Sequence, residues 1–148
     1  MILNSFVLNQ QLELQAIKLR WPPSLRLEED QFFDFCQANN ELRIERTAEA
    51  DYEIMTLTGG KTSTRNSRIV TLLSIWAEAD GTGVVFDSSG GFTLPNGAVR
   101  SPDASWVKKS RLTVLTDKQK TRFLPLCPDF VIELRSPSDN IIALQDKM

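Results

Sequence analysis

Leu126-Cys127-Pro128-Asp129-Phe130-Val131-Ile132-Glu133-Leu134-Arg135-Ser136-Pro137-Ser138-Asp139 decides how the rest of the chain reads. Residues 129–135 hold Phe130, Val131, Ile132 and Leu134, the most apolar short run of the chain. Such a run predicts a central strand covered on both faces. Ser136 has the side chain of a helix cap, Pro137 suits the first helical position, and Asp139 falls in the first turn. Together they predict a helix from there to Met148. Glu133 interrupts the apolar strand, and a carboxylate is seldom buried without a partner. It either faces outward, pairs with Arg135 or Lys147, or belongs to a site.

Upstream, a second acid has a similar setting. The turn Pro95-Asn96-Gly97 feeds residues 98–107, where Val99 and Val107 flank Ser101-Pro102-Asp103. Asp103 thus lies within an apolar strand segment, just after a proline. Two acids carried by successive strands toward one point would suit a hard cation, because Mg²⁺ favours carboxylate oxygens and water. The residues alone leave that reading level with the structural one, since ion pairs in folds are often only structural.

The remaining elements follow from periodicity. Residues 27–38 predict a helix whose first turn carries Glu28, Glu29 and Asp30 and whose apolar face carries Phe32, Phe35 and Cys36. Residues 41–47 and 51–57 alternate and predict a hairpin, with Leu42, Ile44, Tyr52 and Ile54 inward. Thr58-Gly59-Gly60-Lys61 breaks the pattern; Gly59-Gly60-Lys61-Thr62 lacks the spacing of a phosphate loop and reads as a hairpin-to-helix loop. Residues 64–79 carry Ile69, Leu72, Leu73, Trp76 and Ala79 at helical spacing, and Asp80-Gly81-Thr82-Gly83 ends that helix. Residues 83–87 and 92–94 predict strands. Residues 108–126 read as an insertion in which Thr116-Asp117-Lys118-Gln119 has the capping-box pattern. Its cations, Lys108, Lys109, Arg111, Lys118, Lys120 and Arg122, form either a solvated face or a contact for a nucleic-acid backbone. Trp21, Trp76 and Trp106 read as core or interface. Residues 1–23, ending in Trp21-Pro22-Pro23, read as an extended arm or linker ahead of one domain at 24–148. The order of elements predicts an α/β (α+β) fold with a mixed sheet flanked by helices.

Composition narrows the chemistry. The 148 residues suit one domain with one sizeable core. No histidine is present, which removes Ser-His-Asp and Cys-His catalysis and histidine-based zinc sites. The two cysteines, Cys36 and Cys127, are far apart, which argues against a disulfide framework and fits a reducing cytoplasm. A net charge of −2 announces no global affinity for nucleic acid and leaves room only for a local basic cleft. No apolar run approaches the roughly 20 residues of a membrane span, and residues 1–9 lack the pattern of a signal peptide. The expected location is cytoplasmic.

Several stretches together resemble one family. They are Leu42-Arg43-Ile44-Glu45-Arg46-Thr47-Ala48, Thr58-Gly59-Gly60 leading to Arg65-Asn66, and Phe86-Asp87-Ser88-Ser89-Gly90-Gly91-Phe92. Arg100-Ser101-Pro102-Asp103-Ala104-Ser105-Trp106 and the opening stretch complete the set, closing at Lys147-Met148. From Leu42 to Lys147 the chain resembles the Uma-two family of endonucleases, within the PD-(D/E)xK restriction-endonuclease-like superfamily. The resemblance implies a restriction-endonuclease-like fold and Mg²⁺-dependent (or Mn²⁺-dependent) hydrolysis of DNA. It makes Asp103 and Glu133 the metal-holding acids, with the carbonyl of Leu134 as a further ligand. Arg135 stands where the usual lysine would be. Lys147, on the following helix, becomes the catalytic lysine, and Glu45 a possible additional acid. Members continue past the Lys147 position, so a domain truncated at its C-terminal end is expected here. The competing expectation is a catalytically inactive relative that serves as a binding or oligomerisation module. A homodimer or higher homo-oligomer is the expected assembly.

Overall fold

Residues 16–134, which the computed structural model describes, begin with a strand that lies inside the stretch read as an arm. That strand, β1 (Ala16–Leu19), pairs antiparallel with β3 (Tyr52–Met55). β3 also closes the expected hairpin with β2 (Arg43–Arg46), in a register that sets Ile44 opposite Ile54 and Glu45 opposite Glu53. Alternation delivers the inward side chains as expected for Ile44 and Tyr52, both buried. Leu42 falls just before β2 and is 41% exposed, so it is not one of them. The sheet continues through β6 (Val99–Arg100) to β5 (Phe92–Thr93), giving the order β1-β3-β2-β6-β5.

Helix α1 (Glu29–Ala38) packs on this sheet. Glu28 is its N-cap, in a capping box with Gln31, so the acid expected in the first turn stands one position earlier. Phe32 is fully buried against Ile44, Tyr52 and Val99, with Phe35 and Cys36 beside it on the face foreseen. Trp21 stacks on Tyr52 at 5.0 Å between centroids. Arg46 is also buried, with its guanidinium over the Phe32 ring and hydrogen bonds to the carbonyls of Gly97 and Leu27.

A second sheet has the order β4-β7-β8, formed by Gly83–Asp87, Ala104–Lys108 and Phe130–Ile132. Helix α2 (Gly60–Asp80) covers it and begins four residues before its apolar pattern does, taking Lys61 and Thr62 into its first turn. Gly81 closes α2 in the left-handed conformation at φ 73°. The buried stripe is Leu73 and Ala77 with Ile69 and Val70, packed on Ala104 and Trp106. This stripe is rotated from the one expected: Leu72 and Trp76 are at least half exposed and Ala79 faces solvent. The sheet is narrow, so a strip one residue wide per turn suffices, and Trp76 reaches the sheet only by its edge contact with Trp106. Phe92, Val107, Leu124 and Leu126 form a third cluster that joins the two sheets.

All pairings between these strands are antiparallel; the parallel component is the bridge between Phe92 and Leu124. Short helices α3 (Lys109–Thr113) and α4 (Asp117–Lys120) fill the expected insertion, and the Thr116 capping box is present. The architecture is α+β, with helices against two sheets, and it fits a restriction-endonuclease-like fold. Two expectations need correction. The run 98–107 is two strands, β6 and β7, parted by Ser101-Pro102-Asp103 because the chain passes from one sheet to the other there. Strand β8 is shorter than 129–135 and, among the described residues, lies at a sheet edge, with Phe130 49% exposed. A continuous apolar run does not distinguish a strand covered on both faces from one covered on a single face. The expected helix from Pro137 to Met148 lies outside the described residues.

Candidate functional site

The passage from β6 to β7 is held by four hydrogen bonds at Ser101. Ser101 and Pro102 are buried. The Ser101 hydroxyl is 2.9 Å from the carbonyls of both Ser88 and Gly90, which ties the turn to the β4–β5 connection. Its N–H donates to Glu45 Oε1 at 3.2 Å, and its carbonyl accepts from Arg43. Proline at 102 offers no N–H that would need a partner. The next side chain, Asp103, is therefore presented from a fixed backbone.

Asp103 is 13% exposed at its side chain and meets three other parts of the chain. Its Oδ2 accepts the Leu134 N–H at 2.8 Å, just past β8. Its Oδ1 accepts from Asn66 Nδ2 of α2 at 3.4 Å and lies 3.7 Å from an Arg43 guanidinium nitrogen of β2. A carboxylate can only accept, so the Asn66 amide must turn its nitrogen to Asp103. The Asn66 Oδ1 atom is then left buried without a hydrogen-bond partner among the described residues.

Glu133 lies immediately after β8 rather than within it, and is partly buried. β7 and β8 are neighbours, in a register that pairs Ala104 with Ile132. Continued by one residue, that register sets Asp103 opposite Glu133. The Leu134 bond to Asp103 holds the chain alongside at this point.

Glu45 has a different environment. It is 2% exposed and stands opposite Glu53, an arrangement of like charges that is unfavourable by itself. Arg100 resolves it, with Nη1 3.2 Å from Glu45 and 2.7 Å from Glu53. Arg43 adds a contact at 3.5 Å. Glu45 therefore sits among cations and an amide, and it supports the Ser101 turn from below. Lys147 and Arg135 lie outside the described residues.

Arg43 and Asn66 both touch Asp103, and the sequence alone assigned neither a role. The available signal for Arg43 was its place two residues from Glu45, which puts both on one face of β2. Asn66 gave no comparable signal, because only the packing of α2 on the second sheet carries it there. Among the described residues no group of three or more His, Cys, Asp or Glu side chains gathers closely enough to hold a metal. Two carboxylates nevertheless suit Mg²⁺, which usually keeps several waters and takes one or two carboxylates with substrate phosphates. The orphaned, buried Asn66 oxygen adds a hard donor beside them. Thiol chemistry does not compete at Cys36: burial pushes that thiol up to about 11, and it belongs to the α1 core.

The cations of the insertion are largely engaged nearby. Lys118 and Arg122 bind Asp30, Arg122 also reaches Asp34, and Arg111 binds Asp129. Lys109 donates to the Gly81 carbonyl. The solvated, locally paired face is the reading these contacts favour. Among the described residues no helix is long and apolar enough to cross a membrane.

No curated protein matches the chain. A family model described as "Uma2: Putative restriction endonuclease" matches residues 29–148, which include Asp103, Glu133 and the strands β7 and β8 beside them. By that match over most of its length, the chain belongs to the Uma2 family of restriction-endonuclease-like proteins.

Proposed function

We propose that the protein is a divalent-metal-dependent endonuclease that hydrolyses phosphodiester bonds of DNA, with Asp103 and Glu133 holding Mg²⁺ or Mn²⁺. The observation that carries this reading is the fixed Asp103 carboxylate beside β8, bonded to the Leu134 N–H in a register that brings Glu133 opposite. Directly opposed residues of an antiparallel pair share a face, with Cβ atoms roughly 5 Å apart. A bound ion would supply a water of lowered pKa and stabilise charge on a phosphoryl oxygen. The chain's own residues would do the rest. Asp103 and Glu133 position the ion, with the Leu134 carbonyl as a further ligand. Lys147 orients the attacking water or stabilises developing charge. Arg135 cannot act as a base, because it stays protonated. Glu45 acts through the Ser101 turn, as a positioning residue.

Cytoplasmic location belongs to the same reading, as does one domain over residues 24–148, to whose sheet the preceding segment adds β1. So does assembly as a homodimer or higher homo-oligomer. The edge position of β8 among the described residues supports the last, because an open strand edge invites pairing. The competing reading, an inactive binding or oligomerisation module, draws on the Arg43 guanidinium that already accompanies Asp103.

The separating experiment is cleavage of plasmid and linear DNA in Mg²⁺ or Mn²⁺, with Asp103→Asn and Glu133→Gln as controls. Each variant keeps the shape and removes a charge that the ion needs. Cleavage that disappears in chelator and in both folded variants is the expected result. Cleavage that persists in chelator or in either variant rules the mechanism out. A wild-type protein that binds the ion and cuts nothing points to the module.

A further inference from the structure

Arg43 is placed where an incoming cation would meet it. Its guanidinium lies 3.7 Å from Asp103 Oδ1 and 3.5 Å from Glu45 Oε1, and it donates to the Ser101 carbonyl. Asp103 thus already has a positive charge as a neighbour. An ion coordinated at about 2.1 Å from an Asp103 oxygen would come within a few ångströms of that guanidinium. Two positive charges at such a separation repel strongly in a partly buried setting. One of them must yield. Arg43 is the group able to do so: its side chain is 33% exposed, and its Nε is buried with no hydrogen-bond partner among the described residues. The guanidinium is held by its tip and not locked along its length.

We propose that Arg43 is the resident counter-cation of Asp103, exchanged for the divalent ion on loading, and that it sets the affinity of the site. The inference rests on the metal reading above. Arg43 neutralises Asp103, whose side chain is only 13% exposed, in the ion-free protein and so offsets repulsion between Asp103 and the neighbouring Glu133. Its withdrawal from Asp103 accompanies ion binding, while Glu45 and the Ser101 carbonyl remain as its anchors on β2 and the turn. Ion affinity is then lower than the carboxylates alone would give.

The test is Mn²⁺ binding, followed by the electron paramagnetic resonance signal of free Mn²⁺, in wild type, Arg43→Gln, Arg43→Lys and Asp103→Asn. Arg43→Gln removes the charge and should bind about tenfold more tightly than wild type, while Arg43→Lys retains the charge and stays weaker than the glutamine variant. Equal or weaker binding by a folded Arg43→Gln protein overturns the proposal and makes Arg43 a positioning residue for the turn. Binding by wild type that is lost in Asp103→Asn keeps the metal reading intact in that case. Absence of binding in wild type and Arg43→Gln alike removes both. Should Arg43→Gln fail to fold, the wild-type protein carries the test. One arginine side-chain ¹⁵N resonance, identified by its loss in Arg43→Lys, should shift on titration with Mg²⁺. No shift contradicts the exchange.

Discussion

Asp103 illustrates how much a single side chain can draw together. Its partners come from β2, from α2 and from the segment after β8, and none of these is near it in sequence. The sequence made Asp103 conspicuous because an acid followed a proline between apolar residues. It could not show that this acid stands in the turn between two sheets, because hydrophobic pattern reports burial and not which sheet a strand joins. The family resemblance offers Glu45 as a further acid, and its surroundings explain the ambiguity: it is buried like a ligand and paired like a structural group. The two roles make opposite demands on the ion-free protein. Glu45→Gln keeps an oxygen for the Ser101 N–H and leaves Arg100 its Glu53 partner but removes the charge from both bonds, so the metal-free protein should lose about 1 kcal/mol in denaturant melts. A residue whose main role is to hold a metal would leave metal-free stability unchanged or raise it, since neutralising one of two neighbouring acids relieves repulsion.

At the scale of elements, most of the order was legible. The hairpin, α1, α2, β4 and the capped turn at Thr116 follow from alternation, helical spacing and capping chemistry. What was not legible was orientation. The apolar positions of α2 fit a wide stripe, but only the strip through Leu73 and Ala77 meets the narrow second sheet. For the same reason the apolar run at Phe130 does not reveal an edge. Contact with that sheet also explains one glycine. A Cβ at Gly83 would come within 2.1 Å of the Trp106 indole, which is 7% exposed and pinned between α2 and the sheet. The ring cannot move aside without disturbing Leu73 and Ala77. Gly83→Ala should therefore destabilise the protein by about 2 kcal/mol through overpacking, with a change in near-ultraviolet circular dichroism from the tryptophans. Unchanged stability would show that β4 can shift to accept the methyl group.

Across the whole molecule, carboxylates tie the insertion and the turns to the sheets. Asp129 accepts the Lys108 N–H at 3.0 Å and pairs with Arg111 at 3.2 Å, which joins the end of β7 to α3 and the start of β8. The Lys108 hydrogen bond, then Arg111, hold its carboxyl below the ordinary value of 3.8. A group lowered in the folded state stabilises above its unfolded value and loses that contribution as pH falls through the folded one. Asp129→Asn should thus be less stable than wild type near neutrality, and the difference should shrink as the pH falls below 3.8. Urea melts at about pH 7 and about pH 3 check this. A difference that stays constant with pH would mean that the charge of Asp129 contributes nothing.

The two sheets, the turn between them and the bond from Leu134 converge on a single claim, that Asp103 and Glu133 share a divalent ion. Calorimetric titration of the protein with Mg²⁺ and Mn²⁺, beside Asp103→Asn and Glu133→Gln, tests it without any assumption about substrate. The account predicts saturable binding by the wild type that is lost in both variants while their circular dichroism stays unchanged. Binding that survives in either folded variant, or no binding by the wild type, would contradict it.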